Sequence, residues 1–381
     1  TLCQDGMLKT SGGACYKALI VPAVKLIPVS TLKKLVALAR QGATVVFVEH
    51  YPEDVPGYAS LEQNRKQLFA LLEQLPGEKS FQGTQTFNFG KGRIIVGSDY
   101  HEALERTGVP AEELKTRWGA QFIRRTHTEG HHYFISNLQA KDVEGWVTLN
   151  VPEKHIMCFD PMTGKRGIAK TREVGGKTQV YMQLKSGESI ILQTFTRSLQ
   201  GEPEWKYRKE MDYSLSLDHG WKLKFVESYP AIEGEFEIDT PSSWTEIAHP
   251  AAKINRGTAL YSLELDLPEL SADDWILDLG DVRESARVRI NGQEAGVAWA
   301  TPFRLSIGQL LKPGKNLIEV EVTNLPVNSI AEMDRQGKQW RIFEDINMAK
   351  LNYEKGTYGH WETLPSGLNG IVRLIPVKYL F

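Results

Sequence analysis

The sequence predicts a multidomain protein in which an α/β portion is followed by all-β portions. Three observations predict it. Apolar strand-like runs alternate with helix-periodic stretches over residues 1–115, as in a parallel sheet covered by helices. The helical period disappears from residue 116 onward. The closing stretch, 212–381, strings together short alternating runs separated by turn residues, the pattern of a β-sandwich. A chain of 381 residues is also long for one domain, since domains run to about 100–200 residues.

In the α/β portion, YKALIVPAV (16–24) is a continuous apolar run suited to a buried strand. VSTLKKLVALARQG places Leu32, Leu35, Val36, Leu38 and Ala39 on one helical face and stops at Gly42. ATVVFVEHYPED reads as a second strand, LEQNRKQLFALLEQL as a helix, GRIIVGSD as a third strand and YHEALERTGVPAEEL as a closing helix. Because 3–9 is polar and the first strand starts near 16, this sheet is expected to be incomplete at its N-terminal side. From 116 to 198, HHYFISNLQAKDVEGWVTLNV, IMCFDPMTGKRGIAKTR and KTQVYMQLKSGESIILQTF alternate between turns at 160–164 and 186–187, describing a small antiparallel sandwich. LQGEPEWKYRKE, polar and proline-bearing, reads as a linker over 199–211. In 212–381, ARVRINGQEAGVAW contains Asn291-Gly292, the pair favoured where both turn positions need positive φ. Roughly eight to ten strands with long loops make this portion a jelly-roll sandwich.

Lys plus Arg number 45 and Asp plus Glu 47, a net charge of −2. That balance supplies no broad field for phosphate backbones and excludes a general nucleic-acid binder. No apolar run reaches the ~18–20 residues of a membrane span. Cys3, Cys15 and Cys158 have no C-x-x-C spacing, so neither a disulfide framework nor a zinc ribbon is indicated. The start, TLCQDGMLKT, shows no signal-peptide pattern, and the chain is expected to be a piece of something longer.

Several motifs lose their functional reading on context. The GKG at 90–92 precedes a strand, whereas a phosphate loop follows a strand and opens a helix; it reads as a hairpin turn. Cys15 lies before its strand, away from a nucleophile's strand-to-helix turn. His127, His131 and His132 lack H-E-x-x-H order, and a strand turns adjacent histidines to opposite faces. Glu233, Glu235 and Glu237 in EGEFEID fall at period two, a solvated strand face rather than a convergent acid pair.

LDLGDVRESARVRINGQEAGVAWATPFRLSIGQLLKPGKNLIEVEVTNLPVNSI resembles the galactose-binding-like jelly-roll domain of family 2 glycoside hydrolases. PSGLNGIVRL resembles its closing strand in large bacterial glycosidases similar to family 106, the α-L-rhamnosidases. YKALIVPAVKLIPVSTLKKLVALARQGATVVFVEHYPEDVPG is similar to the flavodoxin-like domain that follows their catalytic barrel. Relatives often carry Gly-Pro where this chain has Gly370-Ile371, and an aromatic before Asn-Arg where it has 325–329. The resemblance therefore carries the sugar-binding fold and not the substrate.

The resemblance implies a carbohydrate-binding and scaffolding C-terminal part of a glycoside hydrolase acting on plant or other complex glycans. Its catalytic carboxylates would sit in an upstream barrel needing ~250 residues, so no catalytic residue is assigned within this chain. The partners implied are a carbohydrate ligand and that barrel; the location implied for the parent is periplasmic or secreted. No cofactor is expected. A structural calcium ion is compatible with jelly-roll sandwiches, but its ligands are not located and the metal stays unknown. The alternative is a self-contained hydrolase with a site at the carboxyl edge of the flavodoxin-like sheet. Between NLIEVEVTNL and GIVRLIPV runs a loop too long for a passive connection. It holds Asp334, Arg335, Trp340, Arg341, Glu344, His360 and Trp361. Aromatic faces stack on sugar rings while Arg and Asp take hydroxyls. The carbohydrate-binding candidates are Trp299, Asp334, Arg335, Trp340, His360 and Trp361, weighed against aromatics that merely cover the sandwich end.

Overall fold

The computed structural model describes residues 2–77, 83–341 and 356–381. It is mostly β-sheet with few helices, and the chain divides into two compact units, Thr1–Thr116 and Arg117–Phe381.

In the first unit, strands Ala18–Val21, Thr44–Val48 and Gly92–Gly97 run parallel, and Gln85–Phe89 adds to the last of them antiparallel. Helix Val29–Gln41 buries Leu32, Leu35, Val36, Leu38 and Ala39, the face its spacing dictates. It ends at Gly42, whose φ of 127° lets its N–H return to the Ala39 carbonyl. The GKG turn joins Gln85–Phe89 to Gly92–Gly97 as a hairpin, with Gly90 at φ 63°. Three expectations are corrected here. The strand expected over 16–24 spans only Ala18–Val21, because Pro22 has no N–H for the ladder. Cys15–Tyr16 instead pairs into a three-stranded antiparallel sheet with Leu2–Gln4 and Met7–Lys9. The closing helix is two short ones, Tyr100–Glu105 and Glu113–Thr116, parted by Gly108 at φ 74° and Pro110.

The second unit begins with a five-stranded antiparallel sheet, ordered Arg166–Ile168, His155–Phe159, Ser189–Phe195, Gly130–Ser136, Gln121–His127. A three-stranded sheet of Val143–Leu149, Lys177–Leu184 and Thr171–Val174 accompanies it. Alternate residues of both are buried, among them Tyr133, Ile135, Val147, Val180 and Met182. The remaining strands form a six-stranded sheet, ordered Glu235–Ile238, Trp221–Tyr229, Arg256–Leu267, Gly314–Thr323, Ser285–Ile290, Gln293–Ala298. Facing it is a sheet of Tyr207–Glu210, Arg373–Leu380, Asp274–Asp278 and Arg304–Ser306. Both sheets feed one core: Trp221, Tyr261, Val288 and Val320 from the first, Trp275, Leu277, Leu305 and Leu374 from the second.

The segment expected as a linker, 199–211, is corrected over its C-terminal half. Tyr207–Glu210 is a strand paired with Arg373–Leu380, because Tyr207 is buried and its hydroxyl both donates to the Tyr181 carbonyl and accepts from Lys170 N–H. Asn291 and Gly292 sit at φ 54° and 78° between paired Ile290 and Gln293, the hairpin turn their chemistry predicts.

Candidate functional site

Strand Gly314–Thr323 runs into helix Val327–Arg335, and the described chain resumes at Gly356 to reach Gly367–Leu368, which pairs with Val282–Arg283. Three side chains of that helix hold the returning segment. Buried Asn328 donates through Nδ2 to the Leu364 carbonyl at 2.8 Å and accepts the Leu364 N–H at 2.9 Å. Arg335 donates through Nε to the Gly359 carbonyl and through Nη2 to the Trp361 carbonyl, each at 2.8 Å, while Nη1 pairs with Glu332 at 3.0 Å. Asp334 accepts from Trp340 Nε1 and from the Tyr358 N–H. Those two donors hold the Asp334 carboxyl below the usual carboxylate range.

This framework gathers aromatic rings. Trp340 and Tyr358 have centroids 5.8 Å apart, Tyr358 and Trp361 4.4 Å apart. The Arg341 guanidinium lies 5.1 Å and 5.2 Å from the Trp340 and Tyr358 ring centres and donates to the Gly356 carbonyl. Trp361 is 38% exposed and His360 is exposed beside it. The pair at 360–361 therefore presents surface rather than filling the sandwich core.

Asp334, Arg335, Trp340, His360 and Trp361 thus come together, with Asp334 and Arg335 spending their polar atoms on the loop itself. Trp299 does not join them. It is 62% exposed just beyond Gln293–Ala298, an edge strand of the six-stranded sheet. Tyr358, which links the two tryptophans, was not among the sequence candidates, and its only signal was proximity to His360 and Trp361. Glu344 and the stretch FEDINMAKL (343–351), whose sequence reads as a short helix, lie outside the described residues.

The other candidates have structural partners. His127 and His132 stack at 4.4 Å, His131 pairs with Glu153 at 3.2 Å, and the described residues contain no group of three or more His, Cys, Asp or Glu fit to hold a metal ion. Asp54, near the carboxyl ends of the parallel strands, is brought down to about 2 by hydrogen bonds from Arg65 and the Val55 N–H. That makes it a fixed anion rather than a proton donor. A cleft of about 630 Å³ in this unit is lined by Lys17, Thr44, Gly92 and Arg93, where the parallel strands begin. It is at the edge opposite to the one where ligands of open α/β sheets bind.

Comparison with known proteins finds likenesses among glycoside hydrolases. Residues 1–171 match the model of glycoside hydrolase family 106, described as alpha-L-rhamnosidase. The structure of a rhamnosidase from Novosphingobium sp. PP1Y superposes on 98% of this chain with a TM-score of 0.70 at 25% identity. A Formosa agariphila protein provisionally named beta-glucuronidase is 28% identical over 197 residues, 47% of this chain. The chain spans 35% of that rhamnosidase and 17% of the Formosa protein. The chain is β-rich and multidomain, and it is similar to a rhamnosidase over nearly its whole length and to the family 106 model over residues 1–171.

Proposed function

We propose that this chain is the carbohydrate-binding and scaffolding part of a glycoside hydrolase acting on complex glycans, partnered in its parent protein by a catalytic barrel outside this sequence. Its parts read as a flavodoxin-like domain over 1–115, a small β-sandwich over 116–198 and a jelly roll over 212–381. The observation that carries the proposal is the ring patch of Trp340, Tyr358 and Trp361, clamped by Asp334 and Arg335 and flanked by Arg341 and His360. The exposed Trp361 ring, supported by the half-buried Tyr358 and Trp340, suits the C–H side of a pyranose, and the adjacent polar side chains suit its hydroxyls.

Hydrolysis needs an acid and a second carboxylate held ~5–9.5 Å apart in a cleft. Glu102, Asp142, Glu210 and Glu332 are all held below the usual range, and each accepts a hydrogen bond from Arg, Lys, Thr or Gln, which supports a non-catalytic role. Crystals soaked with L-rhamnose and D-galactose test the reading. Sugar density against Trp361 and Tyr358 is expected. Density confined to residues 1–198 would overturn the patch assignment.

A further inference from the structure

At the same end of the six-stranded sheet, Trp221–Tyr229 stops and Arg256–Leu267 starts, with Tyr229 opposite Arg256. A bulge between Phe225 and Glu227 breaks the register there. Gly257, at φ 147°, packs against the Glu227 carbonyl so closely that no Cβ fits. Bulges of this kind re-aim side chains beside binding sites. Here the consequence is an open cleft of about 440 Å³ lined by Glu227, Ser228, Tyr229, Arg256, Gly257 and Asn324, within the ~300–1,000 Å³ range of small-ligand sites.

The lining divides into a fixed floor and free walls. Asn324 is fully engaged: Oδ1 accepts the Gly257 N–H at 3.0 Å, and Nδ2 donates to the Asn255 carbonyl at 3.0 Å and Ser366 Oγ at 3.1 Å. The walls are not. Tyr229 is 54% exposed, with the Arg256 guanidinium 4.6 Å from its ring centre. Among the described residues, neither Arg256 nor Glu227 forms a salt bridge, and Arg256 is engaged only by its stack on Tyr229. A stack of Arg on Tyr at a surface is worth only ~0.5–1 kcal/mol, which explains the pair's geometry but not a cleft carrying an unused acceptor beside unused donors.

We propose that this cleft is a second carbohydrate site, separate from the Trp361 patch, that takes a neutral pyranose. Tyr229 offers the ring face that the stacked Arg256 guanidinium leaves uncovered, the guanidinium edge donates to ring hydroxyls and Glu227 accepts from an adjacent pair. The lining holds one anion, Glu227, and one cation, Arg256, so its net charge is zero, which matches a neutral sugar rather than an ionic one.

The test is saturation-transfer NMR on the full chain with L-rhamnose, D-galactose, D-glucose and D-glucuronate, repeated on Tyr229→Ala, Arg256→Gln and Trp361→Ala. Circular dichroism confirms folding of each variant, and Arg256→Gln carries the test alone if Tyr229→Ala unfolds. At least one neutral sugar is expected to bind, and the part of its binding that survives Trp361→Ala is expected to weaken tenfold or more when Arg256→Gln is added, the scale of losing hydrogen bonds to a charged group. A component of that binding persists in Trp361→Ala. No binding by any neutral sugar, a preference for D-glucuronate, or binding indifferent to Tyr229 and Arg256 would each overturn the second site. Loss in Trp361→Ala alone would overturn it while leaving the patch reading intact.

Discussion

Asp334 ties together groups 6 and 24 residues away in sequence, Trp340 and Tyr358, and no local pattern announces such a clamp. The sequence made the tryptophans and the long loop legible because bulky aromatics in a polar loop stand out. It hid Tyr358 because its importance lies in touching two rings contributed from opposite ends of the loop. Asp334→Asn is expected to loosen both donors and weaken sugar binding at the patch, read by titration against wild type. The sign with pH follows from the depressed carboxyl. The stabilisation is present above the unfolded Asp value of ~3.9 and is lost as pH falls through the lower folded value. Tryptophan fluorescence should therefore change on acidification in wild type more than in Asp334→Asn; identical acid profiles would exclude the clamp. Gly367 gives a second prediction. Its φ is +97°, and a Cβ there would meet Tyr261 Oη and the Trp244 ring, both fully buried. Gly367→Ala is expected to cost about 2–4 kcal/mol through overpacking and left-handed backbone, measured by denaturant melts.

At the level of elements, short-range chemistry was readable and long-range pairing was not. Asn291-Gly292 and the GKG turn specify their hairpins from two or three residues. EGEFEID shows its alternation in Glu235–Ile238, where Glu235 and Glu237 are exposed. Tyr207–Glu210 escaped because its partner, Arg373–Leu380, lies more than 160 residues downstream. Around that strand, charges join elements distant in sequence. Arg304 pairs with Asp278 at 2.7 Å and with Glu210 at 2.9 Å, and Lys185 pairs with Glu210 and with Asp142 at 3.0 Å each. Burial pushes the Glu210 and Asp142 carboxyls up, but hydrogen bonds and charge from Lys185 and Arg304 more than offset it, so both end below the usual range. Their contribution is complete above the unfolded carboxylate values of ~4 and is lost as pH falls through the folded ones. Arg304→Met is expected to destabilise the second unit by about 1–3 kcal/mol, the scale of charge-assisted hydrogen bonds lost, and to flatten its loss of stability as pH falls below ~4. A thermal-melt series over that range with an unchanged acid slope would show that the network does not link these strands.

At the scale of the whole molecule, the carboxylates of the described residues bear on the choice between the proposed carbohydrate-binding part and the alternative, a self-contained hydrolase. An enzyme of the alternative kind would carry, at the carboxyl edge of the parallel sheet, a carboxyl kept protonated near neutrality. There the structure instead has Asp54 held as an anion by Arg65. Elsewhere burial raises Glu188, yet this side chain accepts the Lys185 N–H and closes the turn before strand Ser189–Phe195. The Asp160 carboxylate adds to that rise while Lys185 and Arg304 oppose it, a setting of mixed charges that supports the turn-closing role, whereas catalysis by two carboxylates further requires a substrate-sized gap between them. The chain alone is accordingly expected to release no product from aryl α-L-rhamnosides or aryl β-glucuronides above the buffer rate, while a longer form carrying upstream sequence turns over one of them. Turnover by the 381-residue chain that vanishes on Glu188→Gln or Asp54→Asn, in variants whose melts match wild type, would reverse the assignment and place the acid within these residues.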